Sequence, residues 1–287
     1  MNIIHFRGLN CYSNSLVSVA DSFGIDYTLA FGNLWSEMDL RYDQFREKYL
    51  SPYLLGNLNA LGCSLTILPS ETSGDIEDSL SGLNNGDCVI IGMDRRLVPW
   101  NPFFGGISGP HYFVAEYAAD DSIPCFDPTF NVRNEKLRRD YIIKRASRIS
   151  VLKPRAPEPW LPDDMAELRT VAEGCGERLR RVTEWIERCR SGGGNEAEQF
   201  AKYVEALINN RSLYRRYLDK RAPELLDALG VFNDSLFRRW SAVKHGLVKA
   251  SIARESARRS GRLMDEIGTF ATELINSESN AAKGVVG

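Results

Sequence analysis

The chain has 287 residues, 43% of them hydrophobic and 26% charged, with a formal net charge of −2. That length accommodates one large domain or two ordinary ones with buried cores, and two are expected here. The near balance of charge gives no reason to expect a nucleic-acid or membrane partner.

No apolar run approaches the roughly 18 to 20 residues of a membrane span, and the opening MNIIHFRGLNCYSNS lacks the apolar region and cleavage site of a signal peptide. A cytoplasmic protein is expected. Cys11, Cys63, Cys88, Cys125, Cys175 and Cys189 are scattered and form no CxxC pair, so they are read as reduced thiols. With only His5, His111 and His245 and no ligand spacing, neither a metal nor a directly bound cofactor is expected.

In chain order, Leu16, Val19, Ala20 and Phe23 repeat at helical spacing, so Cys11 to Phe23 reads as a helix that Cys11 opens and Gly24 closes. His5 lies ahead of it on what reads as a short strand. Helices follow at Ser51 to Leu61 and at Gly74 to Leu83, the latter capped by Ser73. CSLTILP, DCVIIGM, HYFVAEYA, SIPCFD and RISVLK are then short β-branched or aromatic runs, the pattern of an antiparallel sheet. Residues 1–153 therefore read as an α+β domain of helix plus antiparallel sheet, and the prolines of 154–164 as a linker.

Residues 165–287 read as a helical bundle of three to five helices. Met165, Leu168, Ala172, Cys175, Leu179, Val182, Ile186 and Cys189 form one packing seam, and Ser-Gly-Gly-Gly at 191–194 breaks it. Asn195 is read as the next cap, Phe200, Tyr203, Leu207, Tyr214 and Tyr217 as the next face, and Ser235 to Leu274 as a last long helix.

A thiol becomes nucleophilic as its thiolate, and a helix N-terminus stabilises that anion, so Cys11 is the candidate nucleophile. It needs a base, and the base needs an orienting group. HYFVAEYA and SIPCFD read as hairpin arms about a turn at 119–122, which sets residue 111 opposite roughly residues 128–131. His111 as base and Asp127 as its orienter then share the open end of the hairpin. Asp127 also fits an Asx turn before Pro128. The oxyanion of a tetrahedral intermediate needs donors as well, usually the nucleophile's own N–H and one side chain. Asn10 and His5 are both candidates for that side chain, and the residues do not choose between them.

The order Cys, His, Asp, with NCYSNSL opening a helix, GPHYFVAEY on a strand and FDPTF after a turn, resembles the papain-like fold. With FGIDYTLAFGNLW, the region of about 1–150 more closely resembles the butirosin-biosynthesis (BtrH-like) acyltransferases. That resemblance implies transfer of an acyl group from the phosphopantetheine thioester of an acyl carrier protein, through Cys11, to a small-molecule amine in specialised-metabolite biosynthesis. It implies His111 as general base and acid. The glutamine that papain-like enzymes commonly carry ahead of the cysteine is missing, since Gln44 is the first in the chain. A thioesterase or peptidase on the same fold, and a non-catalytic scaffold, are the alternatives.

Trp35, Trp100, Phe103 and Phe104 are candidates to line a substrate pocket. FFGGISG before His111 is expected to act as a flap. The other five cysteines are read as packing residues and His245 as a surface residue. The basic stretches RSLYRRYLDKR, FRRWSAVKH and RESARRSGR offer Arg215, Arg216, Arg238 and Arg239 as a dock for an acidic carrier protein.

Overall fold

The computed structural model describes residues 1–44, 46–118, 120–192, 194–252 and 257–287, the side chains of 257–260 excepted. In chain order the elements are α1 (Cys11–Ser22), a 3₁₀ turn (Tyr27–Phe31), β1 (Arg41–Asp43), β2 (Lys48–Leu50), α2 (Pro52–Ala60), β3 (Cys63–Leu68), α3 (Ser73–Ser81) and β4 (Cys88–Asp94). A second 3₁₀ turn (Arg95–Leu97), β5 (Pro110–Glu116), β6 (Ser122–Asp127), β7 (Val132–Arg138), α4 (Arg139–Arg145) and β8 (Ala146–Pro154) follow. The chain ends in α5 (Asp164–Glu173), α6 (Cys175–Gly192), α7 (Gly194–Arg221), α8 (Pro223–Leu229), α9 (Asp234–Ile252) and α10 (Ala257–Val286). This is an α+β fold with a helical C-terminal region.

The chain divides into two compact units, 1–27 with 55–160, and 28–54 with 161–287. In the first, six strands form one antiparallel sheet in the order β3-β8-β4-β5-β6-β7. Alternation along each strand sends side chains to opposite faces. Val89, Ile91, Phe113, Ala115, Ile123, Cys125, Ile149 and Val151 join Ile76 and Leu80 of α3 and Ile142 of α4 in one core. α1 packs against β4, β5 and β8, with Tyr12 edge-on to Tyr112 at 5.2 Å. Residues 12–20 of α1 are all buried, so a helix with polar residues at 13, 14, 15 and 18 is enclosed on every side.

The second unit packs six helices among the described residues, more than the three to five expected. Its centre is a carboxylate. Glu278, fully buried, accepts from Arg211 Nε (2.5 Å) and Nη2 (2.7 Å), Trp240 Nε1 (2.8 Å), Trp35 Nε1 (3.2 Å) and Arg178. Two guanidinium groups and two indoles hold it ionised: burial raises its pKa, but the arginines outweigh burial and bring it down to about 2.

The unit also contains 28–54, which the sequence reading had assigned to a continuous 1–153 domain. Three anchors explain the difference. Trp35 stacks on Tyr214 at 5.6 Å, Ser36 donates N–H and O–H to Glu167 (2.6 Å each), and Glu37 accepts from Asn210 Nδ2 (2.8 Å) and Tyr53 N–H (2.9 Å).

Other expectations shift locally. α3 is capped by Thr72 rather than Ser73. The expected seam from Met165 to Cys189 is two helices, because the Gly174 N–H closes α5 on Thr170 and a Cβ at 174 would meet that carbonyl at 2.6 Å. Asn195 lies inside α7 instead of capping it, and residue 193 of the expected 191–194 break is outside the described residues. The helix expected at 235–274 is α9 and α10, and 253–256 between them, which include the first three residues of the basic stretch RESARRSGR, are likewise outside. The expected strand carrying His5 is absent: residues 1–10 have no strand assignment.

Candidate active site

Asn10 starts α1. Its Oδ1 accepts from the N–H groups of Tyr12 and Ser13 (3.0 Å each), while Ser13 Oγ accepts the Asn10 N–H at 2.8 Å, a reciprocal capping box. The side-chain carbonyl is therefore committed to the helix, and Nδ2 is the donor this oxyanion candidate has left to offer. Cys11 follows as the first helical residue, half-buried, where the positive end of the helix dipole favours a thiolate.

His111 and Asp127 meet as the hairpin reading required. β5 and β6 pair Val114 with Phe126 and Ala115 with Cys125, a register that carries 111 to the level of 129 and leaves 127 diagonal to it on one face. Residue 119 of the connecting turn lies outside the described residues. His111 Nε2 lies 2.6 Å from Asp127 Oδ2, with the two residues 4% and 0% exposed.

The same Oδ2 accepts Trp100 Nε1–H at 2.8 Å, and Oδ1 accepts the Thr129 N–H at 2.9 Å. Asp127 is thus an Asx turn and a histidine partner at once. Burial lowers the His111 pKa, but hydrogen bonds to Asp127 and Cys11, and the charges of both, outweigh it and push the imidazole up to about 9. With Nε2 on Asp127, the bond to Cys11 falls to Nδ1. Cys11, His111 and Asp127 form one hydrogen-bonded chain that can share a proton between sulfur and imidazole.

His5 is exposed, outside any strand, and bonded through Nδ1 to Asn14 Nδ2 at 3.0 Å. Of the pocket candidates, Trp100 is the one that hydrogen-bonds Asp127. Trp35 is a core residue of the other unit, wholly buried with its indole N–H on Glu278. Phe103 and Phe104 are 42% and 55% exposed on the loop before β5, and Arg95 stacks over Phe103 at 4.7 Å.

That loop, expected as a flap, is tied down. Arg95 donates to the carbonyls of Ile107 (3.1 Å) and Ser108 (2.9 Å), and Asp94 accepts Ser108 Oγ–H at 2.6 Å.

Burial, the largest influence on each, pushes the thiols of Cys63 and Cys189 up to about 11 and that of Cys125 to about 12, and raises Cys88 as well. Cys88 and Cys175 are half-buried rather than core residues, and Cys175 Sγ contacts Asn276 Oδ1 at 3.5 Å.

In the helical unit, Arg215 faces Asp234 (3.8 Å), Arg239 donates to Glu273 (2.8 Å) and Arg238 bonds the Asp234 carbonyl (3.3 Å). Arg216 and Arg238 are exposed residues, and the side chains of Arg215 and Arg239 are 43% and 38% exposed.

Asn14 escaped the sequence reading, which followed only the apolar face of α1. The polar residues at 11, 14, 15 and 18 fall on another single face, a signal that was available. Trp100 is read from the sequence only as a pocket candidate, since nothing in its spacing points to Asp127.

Among the described residues no helix is long and apolar enough to cross a membrane, and no group of three or more His, Cys, Asp or Glu side chains is placed to hold a metal ion. No protein-family model matches the chain, and no curated protein matches it.

Proposed function

We propose that the chain is a cysteine-dependent acyltransferase that moves an acyl group from a thioester, through Cys11, to an amine. The observation that carries this reading is the hydrogen-bonded chain Cys11–His111–Asp127 at the first turn of a helix. Cys11 gives its proton to His111 and attacks the thioester carbonyl. The tetrahedral intermediate collapses and expels the donor thiolate, which recovers a proton from the imidazolium. The amine then attacks the Cys11 thioester while neutral His111 takes its proton, and Cys11 leaves.

The papain-like, BtrH-like resemblance supports a carrier-protein phosphopantetheine thioester as donor. Docking through Arg215, Arg216, Arg238 and Arg239 draws less support, because two of the four already face carboxylates.

Alkylation of each cysteine by iodoacetamide, followed by peptide mass spectrometry across pH, tests the nucleophile without a substrate. Cys11 is expected to react fastest well below the ordinary thiol pKa of about 8.5, and to lose that advantage in His111→Ala. Uniform reactivity of the half-buried thiols Cys11, Cys88 and Cys175 would defeat the reading and favour a scaffold. Transfer that ignores added amine would instead identify a thioesterase or peptidase.

A further inference from the structure

The segment ahead of α1 runs back along that helix, and three contacts trace its course. Asn2 Nδ2 donates to Asp21 Oδ2 (3.0 Å), the Ile4 N–H donates to Ser18 Oγ (2.9 Å), and Asn14 Nδ2 contacts His5 Nδ1 (3.0 Å). As the segment advances from residue 2 to residue 5, its partner on the helix moves back from 21 to 14. Asn14 and Ser18 stand three and seven positions beyond Cys11 and so share its face. His5 is thereby held at Asn14, about one turn along the helix from Cys11.

With the Asn14 amide placed so that Nδ2 faces the ring, Nδ1 is the acceptor and the ring proton falls on Nε2. The contact is one-sided for Asn14: the side chain is 1% exposed, and its Oδ1 has no hydrogen-bond partner among the described residues. A buried carbonyl oxygen without a donor is costly, and the bond to His5 is the compensating contact that this side chain makes among the described residues. His5 as a residue is exposed, and Nε2 is the ring nitrogen that the Asn14 contact leaves for a bound molecule. Asn10, the other oxyanion candidate, is fixed at the helix cap through its carbonyl and would have to donate through Nδ2.

We propose that His5 is the oxyanion donor of the Cys11 site and that Asn14 is its positioning residue, fixing the tautomer that carries Nε2–H. This rests on the acyl-transfer reading of Cys11. When the thiolate adds to the acyl carbon, the carbonyl π pair moves to oxygen. His5 Nε2–H then donates a hydrogen bond to that oxygen without surrendering its proton. On collapse the pair returns to re-form the carbonyl, and the donor thiolate leaves with the proton from His111.

Two reactions of the full-length protein separate this role from thiolate formation. Acetylation of Cys11 by p-nitrophenyl acetate passes through an oxyanion, and alkylation by iodoacetamide does not. His5→Ala is expected to slow acetylation roughly 10²- to 10³-fold while alkylation of Cys11 stays within about twofold, and His5→Gln, which keeps a donor, to recover at least about tenfold of the loss. Asn14→Leu is expected to slow acetylation in the same selective way. In ¹⁵N-histidine spectra of the wild type, His5 is expected with Nε2 protonated and Nδ1 bare, and in Asn14→Leu as a mixture of tautomers.

Wild-type acetylation in His5→Ala, or an equal fall of both reactions, overturns the proposal and leaves Cys11 as nucleophile. An Nδ1–H tautomer in the wild type, a reading that needs no variant to fold, overturns the role of Asn14. A Cys11 that alkylates no faster than the other half-buried thiols overturns the acyl-transfer reading itself, and the oxyanion role with it.

Discussion

Asp127 Oδ2 receives two ring nitrogens, His111 Nε2 at 2.6 Å and Trp100 Nε1 at 2.8 Å, in a site where neither Asp127 nor His111 is more than 4% exposed. The carboxylate charge is therefore spent locally, and much of it goes into keeping His111 protonated. The imidazole is raised from 6.5 to about 9, so the stabilisation its proton brings is complete below pH 6.5 and is lost as pH rises to about 9. Acyl transfer should accordingly decline as pH passes about 9, where less than half of the imidazole remains protonated to supply the departing thiol. Replacing Asp127 by Asn removes the charge but keeps an acceptor, so the alkaline limb should move to lower pH and alkylation of Cys11 at pH 6 should slow by about tenfold or more. A limb that stays in place in Asp127→Asn would mean that the carboxylate does not set the histidine. This pair was legible in the sequence because a hairpin constrains residues sixteen apart as tightly as a helix constrains neighbours. The indole on the same oxygen was not legible, since a loop of Gly, Pro and aromatic residues has no period from which a position follows.

At the scale of elements, the segments read correctly from sequence are those whose periodicity reports burial. β3, β4, β5, β6 and β8 carry apolar runs that end at Gly, Asp or Pro, and they were found within a residue or two. β7 was missed because it is a sheet-edge strand with exposed or half-exposed side chains at every position but Leu137, so VRNEKLR shows no alternation. The hairpin of β1 and β2 has three residues per strand, too few for any pattern to register. The loop between Leu97 and Pro110, read as a flap, has cross-links that its composition hides. Its glycines suggested freedom, but the cross-links come from Asp94 and Arg95 at the end of β4, which the composition of the loop does not reveal. Limited proteolysis of the wild type should therefore leave Gly105 to Gly109 intact while cutting the exposed Pro-rich stretch after β8. Arg95→Ala deletes both carbonyl bonds and the stacking on Phe103, and should raise cleavage at Gly105 to Gly109 by about tenfold with little change in the thermal midpoint, as expected for local rather than global opening. Equal cutting in both proteins would show that Arg95 does not hold the loop.

At the scale of the whole molecule, the boundary near residue 160 was visible because prolines interrupt both helix and sheet, and the contact division falls between Trp160 and Leu161. The exchange of 28–54 was not visible. Phe31, Leu34, Trp35, Met38 and Leu40 are as apolar as any residues of a contiguous domain, and nothing in their order says which core receives them. Their partners lie far along the chain: the Tyr203 hydroxyl donates to the Met38 carbonyl at 2.7 Å, and Glu167, which burial raises to about 7 against its bonds to Ser36, holds the same segment. A fragment cut after Trp160 should therefore keep the six-stranded sheet and the candidate triad, all drawn from 1–27 and 55–160, yet present 28–54 without the helices that bury it. Trp35 alone would lose a stacked tyrosine and the Glu278 carboxylate. Such a fragment is expected to bind an apolar dye and to be cleaved first between residues 28 and 54, in a region the full chain protects. Protection of 28–54 in the fragment would mean that this segment finds its core within the first 160 residues, and that a continuous N-terminal domain is the better description of the chain.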